Sequence, residues 1–308
     1  MALTISQIAS VSYAAVLAEK RQAANQWAES AFLHELDKQG GIEVAALGPT
    51  IQAPLDYRRN TGTVIHATDL TSYALTKTEV ITAAEYDVVE ITSPIVWSKK
   101  DEAMNPSEKQ KIAFVKNLLV NGIESHDDII ESAFFTTSNG FNGFNTHIVD
   151  AGTGSDGGID SSVETWWKNK EATYVDDTDI ESAFTTVWNA CAKGSGSKLQ
   201  PTLMVSDGAT QATFEGTQQA QQRYETQELR AGFKTLMFKT ARYVFSPYGG
   251  TRVLFLNPKN YKFVVGKGYF RDLEETEKIP NANGYTRSVY TAGQTIVNNR
   301  SRLGVAHL

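Results

Sequence analysis

Apolar side chains recur at helical spacing in two stretches, and these give the clearest secondary-structure predictions. Over residues 106–137 the stripe consists of Ile112, Val115, Leu119, Ile123, Ile130 and Phe134. Steps of three, four and seven residues keep such side chains on one helix face, so we predict a helix roughly 45 Å long. A shorter stripe predicts a second helix over residues 178–192. Its members are Ile180, Phe184, Val187, Trp188 and Cys191.

Short apolar runs between turn residues predict strands elsewhere in the chain. In the second half these runs cover residues 201–206, 242–246, 252–256 and 261–265, and two β segments follow between 285 and 307, with a bend near Asn298 and Asn299. In the first half they cover residues 63–67, 86–91 and 95–97. Residues 1–39 and 208–235 are predicted to be mainly helical. Because helices and strands do not alternate as in a parallel β/α fold, the predicted class is α+β.

The strands of the first half form a predicted ribbon that lacks apolar partners. Tyr86, Val88 and Glu90 share one side of the run 86–91, and Asp87, Val89 and Ile91 share the other. Neither side is wholly apolar, and an isolated two-stranded ribbon is only marginally stable in water. We therefore expect this ribbon to be covered, either by the core of its own chain or by another subunit.

Composition and charge narrow the class of protein. Hydrophobic residues make up 41% and charged residues 21% of the 308 residues, which excludes global disorder. The single cysteine, Cys191, excludes a disulfide framework within one chain. The net charge of −6 argues against a protein that grips nucleic acid through a basic surface. Without a membrane-length apolar run or a signal-peptide pattern, no membrane contact and a cytoplasmic location are expected.

No motif predicts catalysis or metal binding. The five histidines are scattered without metal-ligand spacing, and His126, beside Asp127 and Asp128, is predicted to lie on a solvated helix face. Cys191 lies on an apolar helix stripe and is predicted to be a small buried side chain rather than a nucleophile. The glycine-rich tracts at 152–158 and 266–268 lack the pattern of a phosphate-binding loop. We predict no catalytic residue, no metal and no cofactor.

Several short motifs occur in a distinctive order along the chain. They are Gly40-Gly41, Pro54-Leu55-Asp56-Tyr57 with Asn60, Trp97 at the end of the ribbon, Asn105-Pro106, Asn142-Gly143-Phe144, Gly157-Gly158-Ile159, Trp166-Trp167-Lys168-Asn169 and the segment 298–305. Together this set resembles the major capsid proteins of tailed bacteriophages, which have the Hong Kong 97-type fold.

The resemblance implies five regions and a structural function. They are an N-terminal arm (1–48), an extended loop or β-ribbon (49–104), a peripheral domain with a long spine helix (105–175), an axial domain (176–284) and return strands of the peripheral domain (285–308). Subunits of this kind assemble as hexamers and pentamers into an icosahedral shell around double-stranded DNA. The implied partners are copies of the chain itself, with portal, scaffold or decoration proteins and weak non-specific DNA contact. The implied location is the virion, with assembly in the host cytoplasm.

The same resemblance suggests which side chains meet a neighbouring subunit. The candidate contacts are Tyr73, Lys77, Tyr86, Trp97, Trp166 and Trp167. Some members of the family form Lys–Asn cross-links between subunits, and Lys77 with Asn298 or Asn299 would be the candidates here. Two other interpretations stay open at this point: an encapsulin-like compartment shell protein with the same fold, and a soluble α+β hydrolase.

Overall fold

The computed structural model describes residues 30–58, 79–104, 107–136, 139–176, 179–192, 200–219, 226–228 and 234–308, together with Thr63, Ile65 and Lys77. Its helices are α1 (Ala31–Lys38), α2 (Lys99–Met104), α3 (Glu108–Phe135), α4 (Phe144–His147), α5 (Ile180–Ala192) and α6 (Gly208–Gln219). Single 3₁₀ turns cover Thr165–Trp167 and Arg300–Arg302. None of the helices within these ranges has the length and apolar character that crossing a bilayer requires.

The strands fall into two large and two small sheets. In chain order they are β1 (Ile42–Ala45), β2 (Thr50–Asp56), β3 (Ile81–Asp87), β4 (Val89–Ser98), β5 (Ser155–Asp156), β6 (Ile159–Asp160), β7 (Lys170–Thr173), β8 (Leu203–Ser206), β9 (Thr226–Glu228), β10 (Lys234–Phe238), β11 (Ala241–Phe245), β12 (Val253–Leu256), β13 (Tyr261–Gly266), β14 (Asp272–Leu273), β15 (Glu277–Lys278), β16 (Gly284–Val297) and β17 (Gly304–His307).

The long helix α3 confirms the strongest sequence prediction. It has 28 residues and therefore runs about 42 Å. At its start the side-chain carbonyl of Gln110 accepts the backbone N–H of Ser107, which occupies one of the unpaired groups at the helix terminus. The helix continues through Gly122. That glycine allows strand β4 to approach closely, because a methyl group there would lie 2.4 Å from Cδ1 of Ile95.

A six-stranded sheet packs against α3. The order is β1-β13-β16-β14, and β4 and β15 also pair with the long strand β16. Strands β4 and β16 run antiparallel from the pair Gly284–Ser98 to the pair Gly293–Val89. The buried side of this pair and the apolar stripe of α3 form one cluster, whose fully buried members are Ile95, Trp97, Val115, Leu119, Ile123 and Val289.

A seven-stranded sheet forms the second layer, in the order β7-β17-β12-β8-β11-β10-β9. Alternate side chains of its strands point to opposite faces, so that Met204 packs beneath α5 and α6 while Leu203 and Val205 face the main core. Helix α5 lies where the sequence predicted it, with Phe184 in edge-to-face contact with Phe255 at 5.6 Å.

An aromatic core joins α1, α3, α4 and strand β13. Phe32 contacts Phe134 at 5.3 Å between ring centroids, and Phe134 contacts Phe263 at 5.4 Å. Phe144 adds contacts to Phe32 and to Tyr261 at 5.6 and 5.1 Å. Such ring pairs add directional stabilisation to the burial of apolar area, so this core fixes the positions of several distant chain segments.

The two β segments predicted between 285 and 307 are strands β16 and β17, of which β16 belongs to the six-stranded sheet and β17 to the seven-stranded one. Two other sequence predictions need correction or restriction. The predicted helix over 208–235 ends at Gln219, strand β9 follows, and strand β10 begins at Lys234. The predicted strand at 63–67, apart from Thr63 and Ile65, and residues 1–29 lie outside the described part of the chain.

Candidate assembly interface

The hairpin formed by β2 and β3 is a two-stranded sheet of its own. Its antiparallel register runs from Thr50–Asp87 to Asp56–Ile81. Along both strands every second side chain is buried: Ala53 and Leu55 on β2, Ala84 and Tyr86 on β3. The opposite face is exposed to solvent. The root of the predicted ribbon is therefore covered by its own chain on one face and left open on the other.

Three of the predicted contact residues lie inside the subunit. Tyr86, Trp97 and Trp167 are each at most 2% exposed. Tyr86 packs edge-on against His147 at 5.7 Å, and the indole N–H groups of the two tryptophans donate to Glu102 and to the backbone carbonyl of Asp156, both at 3.1 Å. Because these side chains present no surface to a neighbour, the structure corrects their assignment as inter-subunit anchors. An apolar position in a strand predicts burial, but it does not say in which subunit.

Trp166 and Lys77 remain available at the surface. Trp166 is half-buried, its ring lies 5.2 Å from that of Tyr57 at an angle of 32°, and its N–H donates to Glu164 at 2.5 Å. The guanidinium of Arg58 sits 5.4 Å from the Tyr57 ring. We call Tyr57 and Trp166 the aromatic platform. Lys77 is exposed, and Tyr73 lies outside the described residues.

An open groove of about 440 Å³ lies beside the aromatic platform. Ile81 and Val163 line it and are 68% and 75% exposed, so the groove carries apolar side chains in contact with water. Arg58, Glu79, Asp160 and Glu164 provide charges around it. An apolar surface with a charged surround is typical of a protein contact site. It lies where the described strands lead into the segment 59–78.

A buried polar cluster lies beneath the root of the hairpin. Nδ1 of His147 is 3.0 Å from both carboxylate oxygens of Asp156, and Nε2 is 2.9 Å from the hydroxyl of Thr295. Arg300 donates from Nε to the carbonyl of His147 at 2.7 Å and from Nη1 to the carbonyl of Gly154 at 2.8 Å. We call His147, Asp156, Thr295 and Arg300 the polar hub.

The geometry of the polar hub resembles a Thr-His-Asp catalytic set, but its burial makes it a structural element. All four side chains are at most 2% exposed. The hydroxyl of Thr295 also donates to the carbonyl of Asn142, so its proton is already committed to the backbone. A nucleophile needs access to a substrate carbonyl, which these buried side chains do not have. The hub instead joins β5, α4, β16 and the last 3₁₀ turn.

The described residues also show how other candidate groups are used. Among them, no three His, Cys, Asp or Glu side chains come together in a way that would hold a metal ion. Cys191 is fully buried, and burial raises the pKa of its thiol to about 12, as expected for a packing residue. His126, predicted to be solvated, is instead fully buried, with its ring nitrogens 3.0 Å from the Ser93 hydroxyl and 2.8 Å from the Thr291 hydroxyl.

Comparison with solved structures decides the fold. No family model and no curated protein matches this sequence. The capsid of cyanophage A-1(L) matches with a TM-score of 0.59 at 14% identity, covering 87% of this chain and 90% of that one. The capsid of Myoviridae phage XM1 matches with a TM-score of 0.54 at 10% identity over 87% and 90% of the two chains. This chain has the Hong Kong 97-type capsid fold.

The same capsid fold occurs in a protein that is not from a phage. The SrpI encapsulin of Synechococcus elongatus matches with a TM-score of 0.56 at 11% identity, covering 88% of this chain and 86% of that one. Both alternatives within the fold therefore have structural relatives. The comparisons confirm the predicted fold class, which rested on motif order.

Within the capsid fold, sequence reasoning missed the residues that support the hairpin. His147 and Asp156 are nine positions apart, and Arg300 lies far along the chain, so no local spacing connects them. For Tyr57 and Arg58 a signal was present, since an aromatic and a basic residue follow directly after the alternating run of β2. The glycine motif at 157–158 was noted, but its contact with Ala84 and Tyr86 depends on the tertiary structure.

Proposed function

We propose that this chain is the major shell subunit of a tailed-phage capsid, a structural protein that encloses double-stranded DNA. The observation that carries the proposal is the extent of the fold likeness, which covers nine-tenths of each matched phage capsid chain together with 87% of this one. The structure does not favour a soluble hydrolase, because the fold matches those of shell proteins and because the Thr-His-Asp set is buried.

Assembly of such a subunit relies on contacts between copies. Head-to-tail contacts between different patches of the same chain close rings, here hexamers and pentamers. Each contact can be modest, because many contacts on one lattice act together. In this proposal the segment 59–78 reaches the neighbouring copy. The side chains proposed to contact that copy are Tyr73 and Lys77 of the segment and Trp166 of the aromatic platform. The exposed apolar groove beside the aromatic platform supports this position for the contact.

The five regions inferred from the resemblance belong to the same proposal. Residues 1–48 would form the arm, 49–104 the extended loop, 105–175 the peripheral domain, 176–284 the axial domain and 285–308 the return strands. The net charge of −6 suits a container whose wall contacts packaged DNA only weakly, because like charges repel. Portal, scaffold or decoration proteins are further partners in this proposal, with assembly in the host cytoplasm before residence in the virion.

An encapsulin-like compartment is the second candidate, and the likeness to SrpI favours it. The two candidates differ in what the shell contains. Particles purified from the natural source and treated with nuclease would protect double-stranded DNA if the chain is a phage capsid subunit. A protein cargo without DNA would instead establish the compartment.

The first test is the state of the purified full chain. Size-exclusion chromatography followed by negative-stain microscopy is expected to show rings or closed shells. A chain that stays a compact single molecule at high concentration would refute the proposed function.

The second test removes the segment proposed to reach the neighbour. The backbone N–H of Tyr57 pairs with the carbonyl of Val80 at 3.0 Å, so this hydrogen-bonded pair can close a two-residue turn. Residues 58–79, which include the segment, can therefore be replaced by Asn-Gly, which favours such a turn. The shortened chain should match the full chain in circular dichroism and thermal unfolding but form no shells. Shells of normal size would refute the role given to the segment.

A further inference from the structure

One edge of the hairpin rests on a turn of the subunit body. The turn between β5 and β6 contains Gly157 and Gly158, and the backbone N–H of Glu85 on β3 donates to the carbonyl of Gly157 at 3.1 Å. The hairpin β2-β3 and the small sheet β5-β6 therefore meet edge to edge, and the hairpin lies directly over Gly157. We call the turn 156–159 the seat.

Gly157 allows this approach in two ways. Its φ of +58° lies in the left-handed region, and a methyl group at this position would lie 2.6 Å from Cβ of Ala84 and 2.9 Å from the hydroxyl oxygen of Tyr86. Carbon atoms prefer separations of about 3.5–4.0 Å, so any side chain at 157 would displace the hairpin by roughly 1 Å at its root. The contact is with the buried side of the hairpin, where Ala84 is itself the smallest apolar choice.

The seat is held rigidly by the polar hub. The carboxylate of Asp156 faces His147, and the backbone carbonyl of Asp156 accepts the indole N–H of Trp167. The carbonyl of Gly154 accepts from both Arg300 and Ser161. Several buried hydrogen bonds hold the seat to the body of the subunit, so a collision at the seat is expected to move the hairpin rather than the seat.

The hairpin has a second support near the start of the segment 59–78. There Tyr57 follows β2 and stacks on Trp166, which belongs to the body of the subunit. The hairpin also contacts β16, where the side-chain amide of Gln294 donates to the carbonyl of Asp87 at 2.8 Å. The seat and the aromatic platform add two supports at different points along the hairpin, and these constrain the direction in which it leaves the body. Gly157 carries the support at the root and the aromatic platform carries the outer one.

We propose that Gly157 is a positioning residue that sets the angle at which the hairpin leaves the subunit. The consequence for assembly rests on the proposed function. If the hairpin reaches a neighbouring copy, the same residue sets the angle between adjacent subunits and hence the curvature of the shell. The segment that makes the contact and the residue that aims it are then different parts of the chain.

The chain offers a matched control one residue away. Gly158 also has a positive φ, +78°, but a methyl group there meets no atom within 4 Å. Gly157→Ala and Gly158→Ala therefore share the cost of placing alanine in the left-handed region, and they differ in the collision with the hairpin. A double variant, Ala84→Gly with Gly157→Ala, removes the closest colliding atom.

Hydrogen exchange of the Glu85 amide measures the seating in full-length unassembled subunits. Gly157→Ala should speed this exchange about tenfold, the order expected when a hydrogen bond is lost. Gly158→Ala should leave it near the rate of the unchanged chain. The double variant should recover part of the protection, because the added methyl group would still lie 2.9 Å from the Tyr86 hydroxyl oxygen. If Gly157→Ala proves insoluble, a soluble Gly158→Ala supports the proposal, and an equally insoluble Gly158→Ala overturns it.

Electron microscopy of assembled material tests the effect on curvature. Gly157→Ala should shift or broaden the particle diameter distribution, whereas Gly158→Ala should retain the original distribution and the double variant should lie between the two. Equal effects of the two single variants on exchange and diameter would overturn the inference. If the unchanged chain formed no shells, the proposed function would fail, while the exchange experiment would still decide whether Gly157 seats the hairpin.

Discussion

Gly122 in the middle of α3 offers a sharp test of how the six-stranded sheet packs on its helix. In an exposed helix interior, replacing glycine by alanine stabilises a protein by about 1 kcal/mol. At position 122, however, the new methyl group would lie 2.4 Å from Cδ1 and 2.5 Å from Cγ1 of Ile95, which is buried. Overpacking of this kind costs about 1–3 kcal/mol. The net expectation for Gly122→Ala is destabilisation by about 1 kcal/mol.

The assay is urea unfolding of unassembled subunits, followed by tryptophan fluorescence, since Trp97 belongs to the same cluster. Gly216→Ala in α6 is the matched control, because a methyl group there meets no atom within 4 Å and only the gain in helix propensity of about 1 kcal/mol remains. The two substitutions should therefore move the urea midpoint in opposite directions. A rise for Gly122→Ala similar to that for Gly216→Ala would refute the close approach of β4 to α3.

A double-mutant cycle identifies the partner of Gly122. Ile95→Ala removes the two colliding carbons and leaves Cβ 3.9 Å from the added methyl group, an ordinary contact. Alone it should cost about 2–5 kcal/mol through the cavity it creates. Combined with Gly122→Ala the loss should be smaller than the sum by about 1–3 kcal/mol. Simple additivity would show that another group opposes the methyl.

Two further predictions concern buried titratable groups. Burial raises the pKa of Cys191 to about 12, so the thiol should not react with Ellman's reagent at pH 8 until the chain is unfolded, and stoichiometric labelling of the native subunit would contradict this. Burial also raises the pKa of Glu131 above its ordinary 4.5, although the Ser246 hydroxyl donates to it, so the folded state binds this proton more tightly and stability is lost as pH rises above 4.5. Glu131→Gln should remove that loss, so the melting temperature of this variant should rise relative to that of the unchanged chain between pH 5 and pH 8. Glu124→Gln, at an exposed position, is the control. Parallel curves of melting temperature against pH for Glu131→Gln and the unchanged chain would contradict the assignment.

Local periodicity explains which predictions succeeded. The stripes over 106–137 and 178–192 correspond to α3 and α5, because a helix places residues three and four apart on one face whatever the rest of the fold does. His126 shows that the same rule held more information, since it lies three residues after Ile123 and four before Ile130 and is buried with them. Its acidic neighbours obscured that position.

Strand pairing explains what the local sequence did not predict. Strands β9 and β10 were missed because the glutamine-rich stretch 218–222 before them extended the predicted helix. The turn from β10 to β11 also uses Lys239 at a φ of +53° rather than glycine or asparagine. The division of 285–308 between two sheets depends on partners far away in the chain, such as β4 for β16 and β12 for β17. Such pairings are decided by the packing of the whole chain, not by the local sequence.

The sequence by itself determined the positions of the two main helices, the α+β class and, through the order of its motifs, the kind of fold. The tertiary structure alone decided that Tyr86, Trp97 and Trp167 are buried in their own subunit, that His147, Asp156 and Arg300 meet, and that Gly157 supports the hairpin. The physical reason is the distance along the chain over which each feature is specified. Helical periodicity is encoded within a few residues, whereas the burial of a strand's apolar face depends on which distant part of the chain covers it.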